Sequence, residues 1–187
     1  MRIKKCNAVL SLLTCIAMLL HVGCSAFTSL TFYYNPLLTK AFAIPFAVLT
    51  CLHAVLGMCS VFFLSDGTRA GLYRKQNRRT VIQRVTAALI FPLLLLHINT
   101  FGWLKATTES GQYVLFALLI AAQILFYLVV FAHAAVSFGR ALITLGWLGS
   151  EKAMKIVDRV AGILCGVMFL ITSFAVVKGQ IAMFLHG

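Results

Sequence analysis

Acidic residues are nearly missing from this chain of 187 residues. Four aspartates and glutamates stand against sixteen lysines and arginines, so the formal net charge is +12. Only 11% of the residues are charged, whereas 61% are hydrophobic. Soluble domains are about one quarter charged and about half apolar. The composition therefore excludes an ordinary soluble domain and indicates a membrane protein.

The motifs of several enzyme classes are missing as well. The six cysteines form no CxxC pair and no CxxCH motif, which argues against an iron–sulfur cluster and against covalently attached haem. The chain contains neither a glycine-rich nucleotide-binding motif nor a constellation of nucleophile and base. These absences argue against substrate catalysis by this chain, and we interpret the cysteines as small apolar thiols inside the bundle.

Long apolar segments are abundant instead. A membrane-spanning helix needs about 20 mostly apolar residues, and the sequence predicts five such spans, at about 7–28, 42–65, 82–104, 113–139 and 160–177. We therefore expect residues 1–187 to form a single all-α membrane domain. The basic start followed by an apolar run also resembles a signal peptide. We interpret it as a retained span, because His21 stands where a lipoprotein cleavage site before Cys24 needs an aliphatic residue.

The placement of the basic residues predicts an orientation. Most of them precede the first span, separate the second from the third, or separate the fourth from the fifth. Only Lys40, Lys105 and Lys178 lie on the opposite side. Since cytoplasmic loops carry the excess of lysine and arginine, we expect a cytoplasmic N-terminus. This charge can contact anionic lipid or dock an acidic cytoplasmic partner, and its placement argues against binding to nucleic acid.

The first two spans resemble the next two. Leu-Leu-His-Val at 19–22 corresponds to Leu-Leu-His-Ile at 95–98, and His53-Ala54 corresponds to His133-Ala134. The sequence thus predicts two copies of one helical hairpin, about 80 residues apart. An even number of crossings separates equivalent helices, so we expect each helix to run parallel to its counterpart.

Each of the first four predicted spans contains one histidine: His21, His53, His97 and His133. An ionisable side chain inside a membrane is costly unless it is partnered, and it indicates a functional site. Neutral imidazoles from two helices can bind the iron of one porphyrin from opposite faces. From their depth in the spans and from the repeat, we predict that His21 pairs with His97 and that His53 pairs with His133. The first four helices would then form a bundle around two stacked haems.

Small residues follow three of these histidines on the same helical face, Ser25 after His21 among them, whereas Phe101 follows His97. Gly57 and Ser137 come four residues after His53 and His133, where they can leave room for a porphyrin. Two alternatives stay open. One is a haem-free scaffold whose histidines join helices by hydrogen bonds. The other is a divalent metal site or a proton relay, although relays usually recruit carboxylates within the spans.

This arrangement resembles the dihaem cytochrome b anchor subunit of the succinate:quinone oxidoreductases, that is, of succinate dehydrogenases and fumarate reductases. Five helices with a histidine in each of the first four carry the resemblance. Its local motifs are Gln83-Arg84-Val85-Thr86 at the start of the third helix, the run from His53 to Gly57, and His133 followed by Gly139-Arg140. The family usually has glycine where Ala87 stands here.

The resemblance implies a function in electron transfer. His53 and His133 would ligate the iron of a proximal haem b, His21 and His97 that of a distal one, and Arg84 and Arg140 would lie near haem propionates. The implied partners are flavoprotein and iron–sulfur subunits on the cytoplasmic face and a quinone in the lipid, with menaquinone as the expectation. The implied location is a bacterial cytoplasmic membrane. A cytochrome b subunit of another dehydrogenase or of a hydrogenase remains an alternative.

Overall fold

The computed structural model describes residues 2–62 and 77–185, and this part of the chain is all-helical. The helices are α1 (Arg2–Thr31), α2 (Pro36–Phe62), α3 (Arg78–Glu109), α4 (Tyr113–Leu145) and α5 (Glu151–Leu185). Each of the five is long and apolar enough to cross a membrane. The expectation of five apolar helices in an all-α chain is thereby confirmed. Most of the basic loop between the second and third predicted spans, with Arg69, Arg74 and Lys75, lies outside the described residues.

The helices extend well beyond the predicted spans. The fifth span was predicted at 160–177, but α5 has 35 residues and begins at Glu151. At 1.5 Å per residue, a helix of this length measures about 52 Å, which exceeds the roughly 30 Å of a hydrocarbon core. A hydropathy pattern ends where charged residues begin. The backbone hydrogen bonds of the helix continue through the turns that contain those charged residues. The sequence therefore underestimates how far each helix runs.

Local residues explain where the helices begin and end. The side-chain oxygen of Asn35 accepts a hydrogen bond of 3.1 Å from the Leu38 N–H, and Pro36 follows as the first helical residue of α2. The Ser150 hydroxyl caps α5 in the same way, accepting from the Ala153 N–H at 3.1 Å. Such caps satisfy N–H groups that have no partner within the helix. Gly146 ends α4 with a φ of 82°, a conformation that favours glycine.

The five helices pack as two hairpins and a fifth helix. The α1–α2 and α3–α4 pairs are the closest neighbours, α4 also packs on α1, and α5 lies against both α1 and α4. The central cluster consists of Met18, Phe126, Tyr127, Phe131 and Val176, together with Ala134. Because Val176 belongs to it, α5 contributes to the core rather than lying outside a bundle of four.

One glycine allows α5 to approach α1 closely. A Cβ atom added to Gly179 would lie 2.7 Å from the Ser29 carbonyl oxygen and 2.8 Å from the Ser29 Cβ. Small residues let membrane helices approach each other in this way. Gly166, on the same helix, faces open space, since nothing lies within 4 Å of an added Cβ.

We predict that Gly179→Ala destabilises the protein by about 1–3 kcal/mol, because the added methyl group forces α1 and α5 apart. Gly166→Ala is the matched control and should be neutral or slightly stabilising, since alanine is the better helix former. Unfolding of the purified protein by increasing sodium dodecyl sulfate, followed by circular dichroism, measures both. Equal unfolding midpoints for the two variants would contradict the close approach.

Candidate functional site

Two of the four span histidines meet between α2 and α4. The ring centres of His53 and His133 are 6.4 Å apart, and the ring planes are tilted by 64°. Both residues are half-buried. The structure therefore brings together the two residues that the sequence analysis assigned to the cytoplasm-proximal haem.

A threonine of α3 holds the His133 ring. The Thr86 hydroxyl lies 3.0 Å from His133 Nδ1, and Thr86 itself is buried. Ser137, one turn further along α4, has its hydroxyl 3.4 Å from His133 Nε2. The other predicted small residue, Gly57, faces the Asn7 amide of α1, which lies 4.0 Å from an added Cβ.

The other two histidines each stack on a phenylalanine within their own hairpin. His21 of α1 stacks on Phe46 of α2, with ring centres 5.4 Å apart and planes 23° from parallel. His97 of α3 stacks on Phe126 of α4, at 4.8 Å and 26°. Among the described rings, no aromatic contact joins His21 directly to His97. The predicted distal pair is therefore not in contact as the proximal pair is.

The two histidine levels are well separated along the bundle. Thr86, which contacts His133, precedes His97 by eleven residues on the unbroken helix α3. Eleven residues correspond to about 16 Å along a helix axis. Pro92 lies between them without interrupting the helix. The bundle thus has a lower level at His53 and His133 and an upper level at His21 and His97.

The two histidine–phenylalanine stacks follow the sequence repeat. Phe126 follows Phe46 by 80 positions, as His133 follows His53. In each hairpin, the phenylalanine seven residues before the lower histidine packs on the upper histidine of the neighbouring helix. The sequence analysis missed this phenylalanine pair, although its spacing from the histidines was a usable signal.

Two imidazole nitrogens are buried without a hydrogen-bond partner. Within 2–62 and 77–185, His53 Nδ1 and His97 Nδ1 have none. Leaving a buried polar atom unpaired costs about 1–3 kcal/mol. Hydrogen bonding through Nδ1 therefore does not account for the burial of these two rings, in contrast to His133, whose Nδ1 contacts Thr86.

The same part of the chain contains no cluster of three or more histidine, cysteine, aspartate or glutamate side chains able to hold a metal ion. The histidines are instead distributed over two levels, and the nearest pair is contributed by two helices.

The two predicted arginines have different surroundings. Arg140, near the end of α4, donates hydrogen bonds of 2.7 Å to Gln83 Oε1 and to Thr80 Oγ1 of α3. Arg84 is exposed. Gln83 is one turn before Thr86, so Arg140 joins α3 and α4 immediately below the lower histidine level. These arginines carry positive charge close to that level.

An ion pair that the sequence analysis did not identify lies at the same end. Arg79 forms two hydrogen bonds to the Asp158 carboxylate, at 2.5 and 2.7 Å, and a third of 3.2 Å to the Val136 carbonyl oxygen. The pair thereby links α3, α4 and α5. A Cβ at Gly139 would overlap the Asp158 carboxylate, so this glycine makes room for the ion pair.

We predict that Asp158→Asn destabilises the protein by about 1–3 kcal/mol, because it leaves the Arg79 guanidinium without its counter-charge. Glu151→Gln is the control. It removes an ion pair with Lys155 on the same helix, but those side chains are 74% and 70% exposed, so the change should stay within about 0.5 kcal/mol. Detergent unfolding midpoints test this, and equal midpoints would show that the Arg79–Asp158 pair does not stabilise the bundle.

Comparison with protein-family models, with curated proteins and with solved structures finds no match to this chain.

Proposed function

We propose that this protein is an integral membrane cytochrome b subunit that binds two haems and carries electrons between a cytoplasmic dehydrogenase and a membrane quinone. Its partners would be flavoprotein and iron–sulfur subunits of the succinate dehydrogenase or fumarate reductase type. The quinone would be menaquinone, and the location a bacterial cytoplasmic membrane. In this proposal the chain binds and orients the redox groups and does not itself act on the dehydrogenase substrate.

The observation that carries the proposal is the spacing of His53 and His133. Two imidazoles that bind one metal ion from opposite sides, at nitrogen–metal distances of about 2.0 Å, have ring centres roughly 6 Å apart. The observed separation is 6.4 Å. This separation would accommodate one iron atom bound between the two rings.

The hydrogen bonding of the histidines supports the same proposal against a haem-free scaffold. A scaffold histidine would stabilise the bundle by bonding to a neighbouring helix. His53 Nδ1 and His97 Nδ1 are buried and unpartnered among the described residues. His133 has a partner on another helix through Nδ1, and its Nε2 lies 3.4 Å from the Ser137 hydroxyl of its own helix. His53 and His97 thus each have a buried nitrogen that a structural hydrogen-bonding role leaves unused.

The upper pair is supported by the repeat. His21 and His97 occupy equivalent positions of two similar hairpins and make the same stacking contact. They come from α1 and α3, whereas the lower pair comes from α2 and α4. A pair on each diagonal of four helices, at two heights, is an arrangement that suits two haems one above the other.

Each group of residues then has a defined task. The histidines hold the iron atoms at two levels, and Arg140 and Arg84 supply positive charge near the lower level, where carboxylates of a bound haem would be neutralised. Apolar side chains of α4 and α5 exclude water between the levels. A bound haem supplies one-electron redox chemistry, with a potential set by its ligands and their hydrogen bonds.

We predict that the protein, purified in detergent from haem-replete cells, gives a reduced-minus-oxidised spectrum of the b type and contains about two haems per chain. Absence of haem from a folded, monodisperse preparation would refute the function. The haem-containing protein could instead co-purify with a soluble enzyme other than a succinate dehydrogenase or fumarate reductase. This result would support the haem sites and contradict the proposed partner enzyme.

We further predict that the four histidines act as two pairs. His53→Leu and His133→Leu should each remove about half of the haem, and the double variant should remove no more, because both residues ligate the same iron. His21→Leu and His97→Leu should behave in the same way for the other half.

The control is Asn99→Leu, which removes a polar side chain from α3 that bonds only to the Leu95 carbonyl oxygen of its own helix. It should retain both haems. If His53→Leu and His133→Leu instead removed haem additively, the pairing would be wrong.

A further inference from the structure

We propose that Thr86 is a positioning residue for His133. It accepts a hydrogen bond from the Nδ1–H group, so that Nε2, which lies 3.4 Å from the Ser137 hydroxyl, is the unprotonated nitrogen that would bind iron, and it lowers the reduction potential of the lower haem. This inference rests on the proposed function and assigns one redox-tuning contact within it.

The direction of the hydrogen bond follows from the contacts of the Thr86 hydroxyl. This hydroxyl has a single proton, which it donates to the Ile82 carbonyl oxygen at 2.7 Å, with the Gln83 carbonyl oxygen at 3.1 Å sharing it. The hydroxyl oxygen, which has two lone pairs, lies 3.0 Å from His133 Nδ1 and can accept there. Two acceptors cannot bond to each other, so Nδ1 carries the proton. A neutral imidazole protonated at Nδ1 has an unprotonated Nε2, which is the form that binds a metal.

The position of Thr86 is held by the surrounding α3–α4 contact. Thr80, Gln83 and Thr86 follow one another at intervals of three residues and therefore lie along one face of α3. Arg140 bonds to the first two, and His133 bonds to the third. Arg140 and His133 are seven residues apart, so they lie on one face of α4. We name this row of contacts the polar seam. It keeps the two helices in register while His133 bonds to Thr86.

The first hairpin has no equivalent of Thr86. The repeat that relates His97 to His21 relates Thr86 to Leu10, whose side chain cannot accept a hydrogen bond. His53 Nδ1 and His97 Nδ1 also lack a partner in the described part of the chain. His133 Nδ1 thus has a hydroxyl partner that His53 Nδ1 and His97 Nδ1 lack.

This difference has an electronic consequence. An acceptor for the second ring N–H makes a metal-bound histidine a stronger donor. A stronger donor favours ferric over ferrous iron and so lowers the reduction potential. Loss of such a contact typically weakens metal affinity by about 10–100-fold. The potential is the more specific readout, because a purely structural role of Thr86 would not shift it in one direction at one haem.

The test compares Thr86→Val with Thr86→Ser. Valine preserves the shape but removes the acceptor, whereas serine preserves the hydroxyl. Both are introduced into His97→Leu, which retains only the lower haem, and into His133→Leu, which retains only the upper one. Thr107→Val is the control, since Thr107 is also buried on α3 but bonds only to the Leu104 carbonyl oxygen. The potential of each haem is measured by redox titration of its spectrum.

We expect Thr86→Val to shift the ferrous-to-ferric ratio of the lower haem by about tenfold, which corresponds to a rise of about 59 mV for a one-electron couple. The upper haem should not change, and Thr86→Ser and Thr107→Val should keep the original potentials. If Thr86→Val loses the lower haem entirely, Thr86→Ala replaces it: a raised potential of the lower haem supports the inference, and an unchanged one contradicts it.

Two failures are distinguishable. If the starting protein contains no haem, the proposed function is wrong. If it contains haem and Thr86→Val leaves the potential of the lower haem unchanged, the function stands and Thr86 does not tune it.

Discussion

The polar contacts among α3, α4 and α5 depend on one constraint, which is that lipid offers no hydrogen bonds to a buried polar group. A chain with four acidic residues has few ways to satisfy such groups by ion pairing. Many polar side chains of the described helices bond to backbone carbonyl groups of their own helix or to a neighbouring helix, whereas six buried polar atoms, among them His53 Nδ1 and His97 Nδ1, have no partner. The polar seam joins α3 to α4, and the lower histidine level lies at one end of it.

The two hairpins share an architecture but divide the polar contacts unequally. Both stack an upper histidine on a phenylalanine, and both contribute one histidine to the lower level. Within residues 2–62 and 77–185, the polar seam belongs to the second hairpin, whose base is tied to α5 through Arg79 and Asp158. Two similar hairpins thus keep equivalent histidine positions while differing in the polar contacts that surround them.

Periodicity and composition were sufficient for the coarse features of the fold. Five apolar runs predicted five helices, and the His-containing motifs predicted two similar hairpins. Contacts between residues distant in sequence were not accessible in this way. Thr86 and His133 are separated by 47 positions, and Arg79 and Asp158 by 79. Nothing in the local sequence of Asp158, the eighth residue of α5, indicates that its partner is Arg79. The haem ligands, orientation and partner subunits remain predictions.

The spacing of the histidines also constrains how the bundle can change in length. His53 follows His21 by 32 residues, whereas His133 follows His97 by 36. The additional residues lie in the helices: α3 continues twelve residues beyond His97 and α4 runs twenty before His133, against ten and seventeen in the first hairpin. Two more residues on α3 and three more on α4 raise the loop end of the second hairpin by about 3 to 4.5 Å. These residues lie beyond the stacked His97 and Phe126. The loop end of a hairpin can therefore lengthen without changing the direction in which its histidines face.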